Sequence, residues 1–153
     1  MWSEPRLAVH FRDVAPETAI EADGRNLEVN VVFTKPEATL AALKTARDLA
    51  RGLSAQIRLL VMLVVPYPLS LDRPPVSVAF AARRAKSLAS KAATDMRIEL
   101  YLCREWRQTL QVLLKPGSTL VIGGKKRWWP TPERRLARWL KASGHQVILT
   151  GPQ

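Results

Sequence analysis

Histidine and cysteine are scarce in this chain: His10, His145 and Cys103 are all that occur in 153 residues. One cysteine excludes an internal disulfide, and the Cys/His spacings of a zinc site are missing. There is no Gly-x-Ser-x-Gly elbow and no phosphate-binding P-loop. His145 opens a predicted strand, which suits a structural or surface role. Cys103 has one neighbouring cation, Arg104, and a single cation does not make a thiol a nucleophile. No catalytic residue and no metal ligand is assigned, and a non-enzymatic protein is expected. Long apolar runs are also lacking. The longest, Leu59 to Pro68, is about half of what a membrane-spanning helix needs. The N-terminus lacks a basic-then-apolar signal pattern. A cytoplasmic protein without membrane contact is expected.

What is present is a core-forming composition and an uneven charge. Hydrophobic residues make up 47% of the chain, as in a globular domain rather than a disordered one. Lysine and arginine number 24 against 13 acids, a net charge of +11. Residues 1–30 run the other way, with three arginines against six carboxylates, whereas residues 104–141 carry ten cations and only Glu105 and Glu133. That gradient points to an anionic ligand or nucleic acid, or to an acidic N-terminal arm on a basic body. A solvated basic surface explains it equally well.

Residues 1–26 read as an N-terminal extension in which Leu7–Phe11 can add an edge strand, with Asp23-Gly24-Arg25-Asn26 as linker. Residues 27–153 read as one domain. Glu28–Thr34 is rich in β-branched and aromatic residues, as a strand should be. Leu40, Leu43, Ala46, Ala50 and Leu53 recur at helical steps. Ile57–Val65 is almost continuously apolar, as in a central parallel strand. Four prolines between 66 and 75 make a loop, and Val78, Ala81, Ala85, Leu88 and Ala92 form the next helical stripe. Met96–Leu102 alternates apolar and polar residues, which suits a sheet-edge strand. Trp106, Leu110, Leu113 and Leu114 supply a third helix face. Ser118–Ile122 is the fourth core strand, Leu136, Trp139 and Leu140 the inward face of the fourth helix, and Val147–Leu149 the fifth strand. Five strands alternating with four helices imply an α/β protein, a three-layer α/β/α sandwich around a five-stranded parallel sheet.

Ligands in such sheets bind beyond the strand C-termini, and the stretch from Gly117 to Glu133 meets that requirement. Leu120-Val121-Ile122 leads into Gly123 and Gly124, which allow a sharp turn. Lys125, Lys126, Arg127, Trp128 and Trp129 follow, and Thr131-Pro132-Glu133 is a helix start. A glycine turn before a helix N-terminus is a common anion site. The cations can clamp a phosphate and the indoles can stack a base. The favoured alternative is that the tryptophans fill the gap left by a missing phosphate loop, with the cations in solvent. Arg134, Arg135, Arg138 and Lys141 lie at helical spacing beyond, as a phosphate-tracking stripe or a solvated face.

From about Asn26 to Gly151 the chain resembles a universal stress protein domain. The likeness is carried by Val29–Thr34, a helix ending Ala46–Ala50, Leu59–Pro66, Thr119–Gly124 and Gly144–Thr150. It implies sheet order 3-2-1-4-5, the arrangement shared with adenine nucleotide alpha hydrolases. It also implies homodimers, often through the last strand, here Val147, Ile148 and Leu149. Many members bind ATP with an Asp after strand 1 and a G-x2-G-x9-G-[S/T] motif after strand 4. In this chain Thr34 stands at the Asp position. Gly123 matches the first glycine, Lys126 replaces the second, and Leu136 falls where the last is due. Thr131 is the one hydroxyl that can substitute. The resemblance thus gives Thr34, Val65, Gly123, Gly124, Lys125, Lys126, Arg127 and Thr131 as candidate nucleotide- or anion-binding residues. The expectation is a stress-protein-like domain without ATP or any other cofactor, acting through dimerisation or a protein partner. The alternative is a polyanion-binding module using residues 125–138.

Overall fold

The computed structural model describes residues 6–11, 27–124 and 131–150; for 6–11 the backbone alone is described. All strands run parallel in one sheet. Strand β1 (Arg6–Phe11) is followed by β2 (Glu28–Val32), α1 (Pro36–Leu53), β3 (Gln56–Val64) and α2 (Val78–Ala92). Then come β4 (Met96–Cys103), α3 (Trp106–Leu113), β5 (Thr119–Gly123), α4 (Pro132–Ala142) and β6 (Gln146–Thr150). The spatial order is β1-β4-β3-β2-β5-β6. Its five core strands, counted from β2, therefore stand 3-2-1-4-5 and are flanked by four helices, a Rossmann-like sandwich.

Each helix forms for a local reason and is held by one face. Helix α1 has Pro36 in its first turn and ends at Ser54 in the left-handed region, φ 51°. Its Ala42, Leu43 and Ala46 are fully buried. Ser77 caps α2 by accepting a hydrogen bond from the Phe80 N–H at 3.3 Å, and Thr131 caps α4 in the same way from Arg134 N–H. One core, between the sheet and α1 and α2, contains Val31, Leu59, Ala85 and Leu100. A second, under α3 and α4, contains Leu60, Leu110, Ile122, Leu136 and Leu140. Val147 and Leu149 of β6 pack against this second core, while Ile148 is 38% exposed.

The structure corrects the reading of the third core strand. The alternation in Met96–Leu102 suggests a sheet edge, but β4 lies between β3 and β1 and is buried along nearly its whole length. Its polar positions are paired with opposite charges, Glu99 in the interior and Arg97 partly exposed. Glu99 is paired with Arg58 of β3, and Arg97 with Glu28 of β2 at 3.2 Å. Partner charges on other strands of the sheet produce the same alternation that water on an exposed face would.

Candidate functional site

Strands β2 and β5 lie side by side at the middle of the sheet, and the chain leaves them in opposite directions, into α1 and α4. This is the switch point at which a doubly wound sheet opens a crevice. Thr34 stands at the end of β2. Its N–H donates to Thr39 Oγ1 at 3.0 Å, a fully buried side chain in the first turn of α1. The Thr34 hydroxyl is buried and without a hydrogen-bond partner among the described residues.

The glycines after β5 have a definite structural use. A Cβ on Gly123 would overlap the Ala38 carbonyl of α1 and lie 2.9 Å from Ala38 Cα. A Cβ on Gly124 would come within 2.9 Å of Glu133 Cβ in α4 and 3.3 Å of Leu149 Cδ1. Neither glycine has a positive φ; among the described residues Gly117 and Gly144 do. The expectation that Gly123 and Gly124 serve a sharp turn is therefore corrected. They let the first turns of α1 and α4 seat directly on the end of β5. Gly124 N–H also continues the ladder to Thr150 C=O at 2.7 Å.

Glu133 is 7% exposed in the first turn of α4. Its Cβ lies against Gly124, and its carboxylate adds a negative charge to the first turn of α4, where an external anion would otherwise be favoured. Val65, fully buried, donates its N–H to Cys103 C=O at 2.8 Å, and its carbonyl accepts from Arg104 Nη1 at 3.0 Å. Both of its backbone groups are used by the protein. Thr34, Gly123, Gly124 and Thr131 are thus arranged about the first turns of α1 and α4, whereas Val65 is committed to the β4 side. Lys125, Lys126 and Arg127, with Trp128 and Trp129, lie outside the described residues. Of the basic stripe, Arg134, Arg135, Arg138 and Lys141 are all exposed.

His145 stands at the opposite end of the sheet, where its Nδ1 accepts the Ser118 N–H at 3.2 Å. Cys103 is buried at the end of β4. Among the described residues no three His, Cys, Asp or Glu side chains group closely enough to hold a metal ion, and no helix is long and apolar enough to cross a membrane.

The sequence reading missed a buried ionic network. Arg58 and Glu99, 5% and 7% exposed, pair through Arg58 Nε and Glu99 Oε2. Tyr101 donates to Glu99 Oε2 at 2.9 Å, and Arg58 also donates to Leu113 C=O at 3.3 Å. Burial, and then the charge of Glu99, push the Tyr101 phenol well above its ordinary pKa. Burial opposes the charge of Arg58, but Glu99 and Tyr101 more than offset it and raise its pKa. The available signal was one arginine inside the apolar run Ile57–Val65 and a glutamate in the following strand.

Also unforeseen are three arginines stacked on aromatic rings. Arg104 lies 4.1 Å from the Tyr67 ring centroid. Arg84 stands 5.4 Å from Phe33 and 5.5 Å from Phe80. Arg107 stands 5.3 Å from Trp106 and 5.7 Å from Trp139, whose rings meet edge to face at 6.1 Å.

No protein-family model matches the chain, and no curated protein does. Among solved structures it is similar to the crystal structure of a macrolide-efflux protein from Streptococcus pneumoniae, with a TM-score of 0.51 at 11% identity. The match covers 95% of this chain and 49% of that one, so this chain spans about half its length. At that identity the likeness is one of fold alone, and the fold is the α/β sandwich described above.

Proposed function

We propose that the chain is a non-catalytic, universal-stress-like cytoplasmic protein that does not hold ATP at the switch point and acts through dimerisation or a protein partner. The observation that carries this reading is the use of Gly123 and Gly124. In a phosphate site such glycines leave room for the ligand to approach the backbone. Here that room is taken by Ala38 of α1 and Glu133 of α4. A carboxylate at the N-terminus of α4 opposes a triphosphate, so the group does not fit these residues. Titrating the purified protein with ATP in a calorimeter is expected to give no saturable heat. Tight stoichiometric binding would overturn the reading.

The exposed α4 stripe supports a second reading, a polyanion-binding module centred on residues 125–138. Affinity for heparin falling steeply with salt, and weakened when Arg135 and Arg138 are changed to Ala, would favour it. Salt-insensitive or absent binding would remove it.

A further inference from the structure

We propose that the β3–α2 connection and the first turns of α2 form a docking surface for single-stranded nucleic acid. This surface uses neither the switch point nor residues 125–138, so it goes beyond both readings above. The exposed aromatic rings identify it. Tyr67 is 79% exposed and Phe80 46% exposed, at opposite ends of a connection that also exposes Leu69 and Val76. A ring left in water forgoes the burial that ordinarily determines where an aromatic side chain sits.

The connection holds its shape through its own bonds. Arg104 Nη1 donates to Val65 C=O at 3.0 Å and to Leu69 C=O at 2.5 Å. Further turns close from Leu69 N–H to Pro66 C=O at 3.0 Å and from Arg73 N–H to Ser70 C=O at 2.9 Å. Arg104 thereby fixes one face of Tyr67 and leaves the remainder of the ring to solvent. At the other end, Arg84 is set between Phe33 and Phe80.

Charge selects the occupant. Residues 64–86 carry Arg73, Arg83, Arg84 and Lys86 against Asp72 alone. Among the described residues no carboxylate lies within ion-pair distance of Arg73, Arg83, Arg84 or Arg104. Unneutralised guanidinium groups beside exposed π-faces match a ligand with phosphates and stackable rings in alternation. Bases held in a duplex cannot reach such rings, so the strand must be unpaired. An acidic peptide would use the cations but leave the rings without a role. In the complex Tyr67 and Phe80 stack bases, Arg73, Arg83 and Arg84 neutralise phosphates, and Arg104 is the positioning residue for Tyr67.

The test is fluorescence anisotropy of a labelled oligothymidine of about 15 nucleotides, within the usual reach of such sites, titrated with the full chain in low salt. Saturable binding that weakens with added salt is expected. Tyr67→Ala and Phe80→Ala should each weaken it by roughly tenfold or more, with thermal melting unchanged for Tyr67→Ala because that ring is 79% exposed. Tyr67→Phe should retain affinity, and Arg84→Gln should weaken binding and reduce its salt dependence. Absent binding overturns the proposal. So does binding that ignores the two ring deletions, equal affinity for a duplex of the same sequence, or displacement by polyglutamate as effective as by unlabelled oligonucleotide. The ATP titration is a separate measurement, so either reading can fail without the other.

Discussion

Arg58 is the third residue of β3, the most apolar strand in the chain, and its charge is retained there by Glu99 and Tyr101. Removing one partner of such a pair costs more than removing both, because the survivor stays buried without compensation. Glu99→Ala is expected to destabilise the protein by about 3–5 kcal/mol in urea unfolding. The double change Arg58→Met with Glu99→Leu should recover most of that loss, and Tyr101→Phe should cost about 1 kcal/mol. The phenol also gives a pH signature. Its folded pKa is raised above the unfolded value of about 10, so its contribution is fully present below that pH. Stability should decline as pH rises beyond about 10, and Tyr101→Phe should flatten the decline. Gly123 is a second sensitive position. Gly123→Ala would drive a methyl into the Ala38 carbonyl of α1, a backbone obstacle that no rotamer change relieves. A loss of about 3 kcal/mol or more in the same assay is expected.

Among the elements, α1 shows how a neighbouring glycine can have the opposite effect. Gly52 lies in its last turn with nothing within 4 Å of an added Cβ and no positive φ. Gly52→Ala should therefore raise stability by about 0.5–1 kcal/mol, read as a higher melting temperature. Most elements were legible because their apolar periodicity survives in the folded burial: Leu43, Ala46 and Ala50 on α1, and Ala81, Ala85, Leu88 and Ala92 on α2, are all buried. The central strand was legible from its continuous apolar run. The position of β4 was not, since an ion pair between strands and a hydrated edge leave the same alternating pattern. The switch point was legible as a place, but the use of its glycines was not. Whether a glycine makes room for a phosphate or for a helix depends on which backbone arrives there, and Ala38 is 85 residues away along the chain. Arg104 was legible only as a neighbour of Cys103, because its partners are carbonyls of a loop more than thirty residues earlier.

At the level of the whole molecule, the sheet has β1 at one margin and β6 at the other. Among the described residues β6 ends the sheet on its side, with one row of backbone groups turned away from β5. Such an edge is a template for a further strand, and Ile148 places an apolar side chain in the open there. Val147 and Leu149 are drawn inward, which leaves Ile148 as the residue that a second copy would cover. A two-fold related β6 would bring two Ile148 side chains together and complete both edges at once, an isologous contact that closes at two subunits. A net charge of +11 on each copy opposes the approach, and salt screens that repulsion. The dimer fraction in sedimentation equilibrium should therefore rise with ionic strength. Ile148→Lys should abolish it while leaving the unfolding midpoint measured at low protein concentration within about 0.5 kcal/mol of wild type, as for an exposed site. A monomer at all concentrations and salt levels would leave this edge without a second copy to cover it, and the β6 dimer would have to be given up.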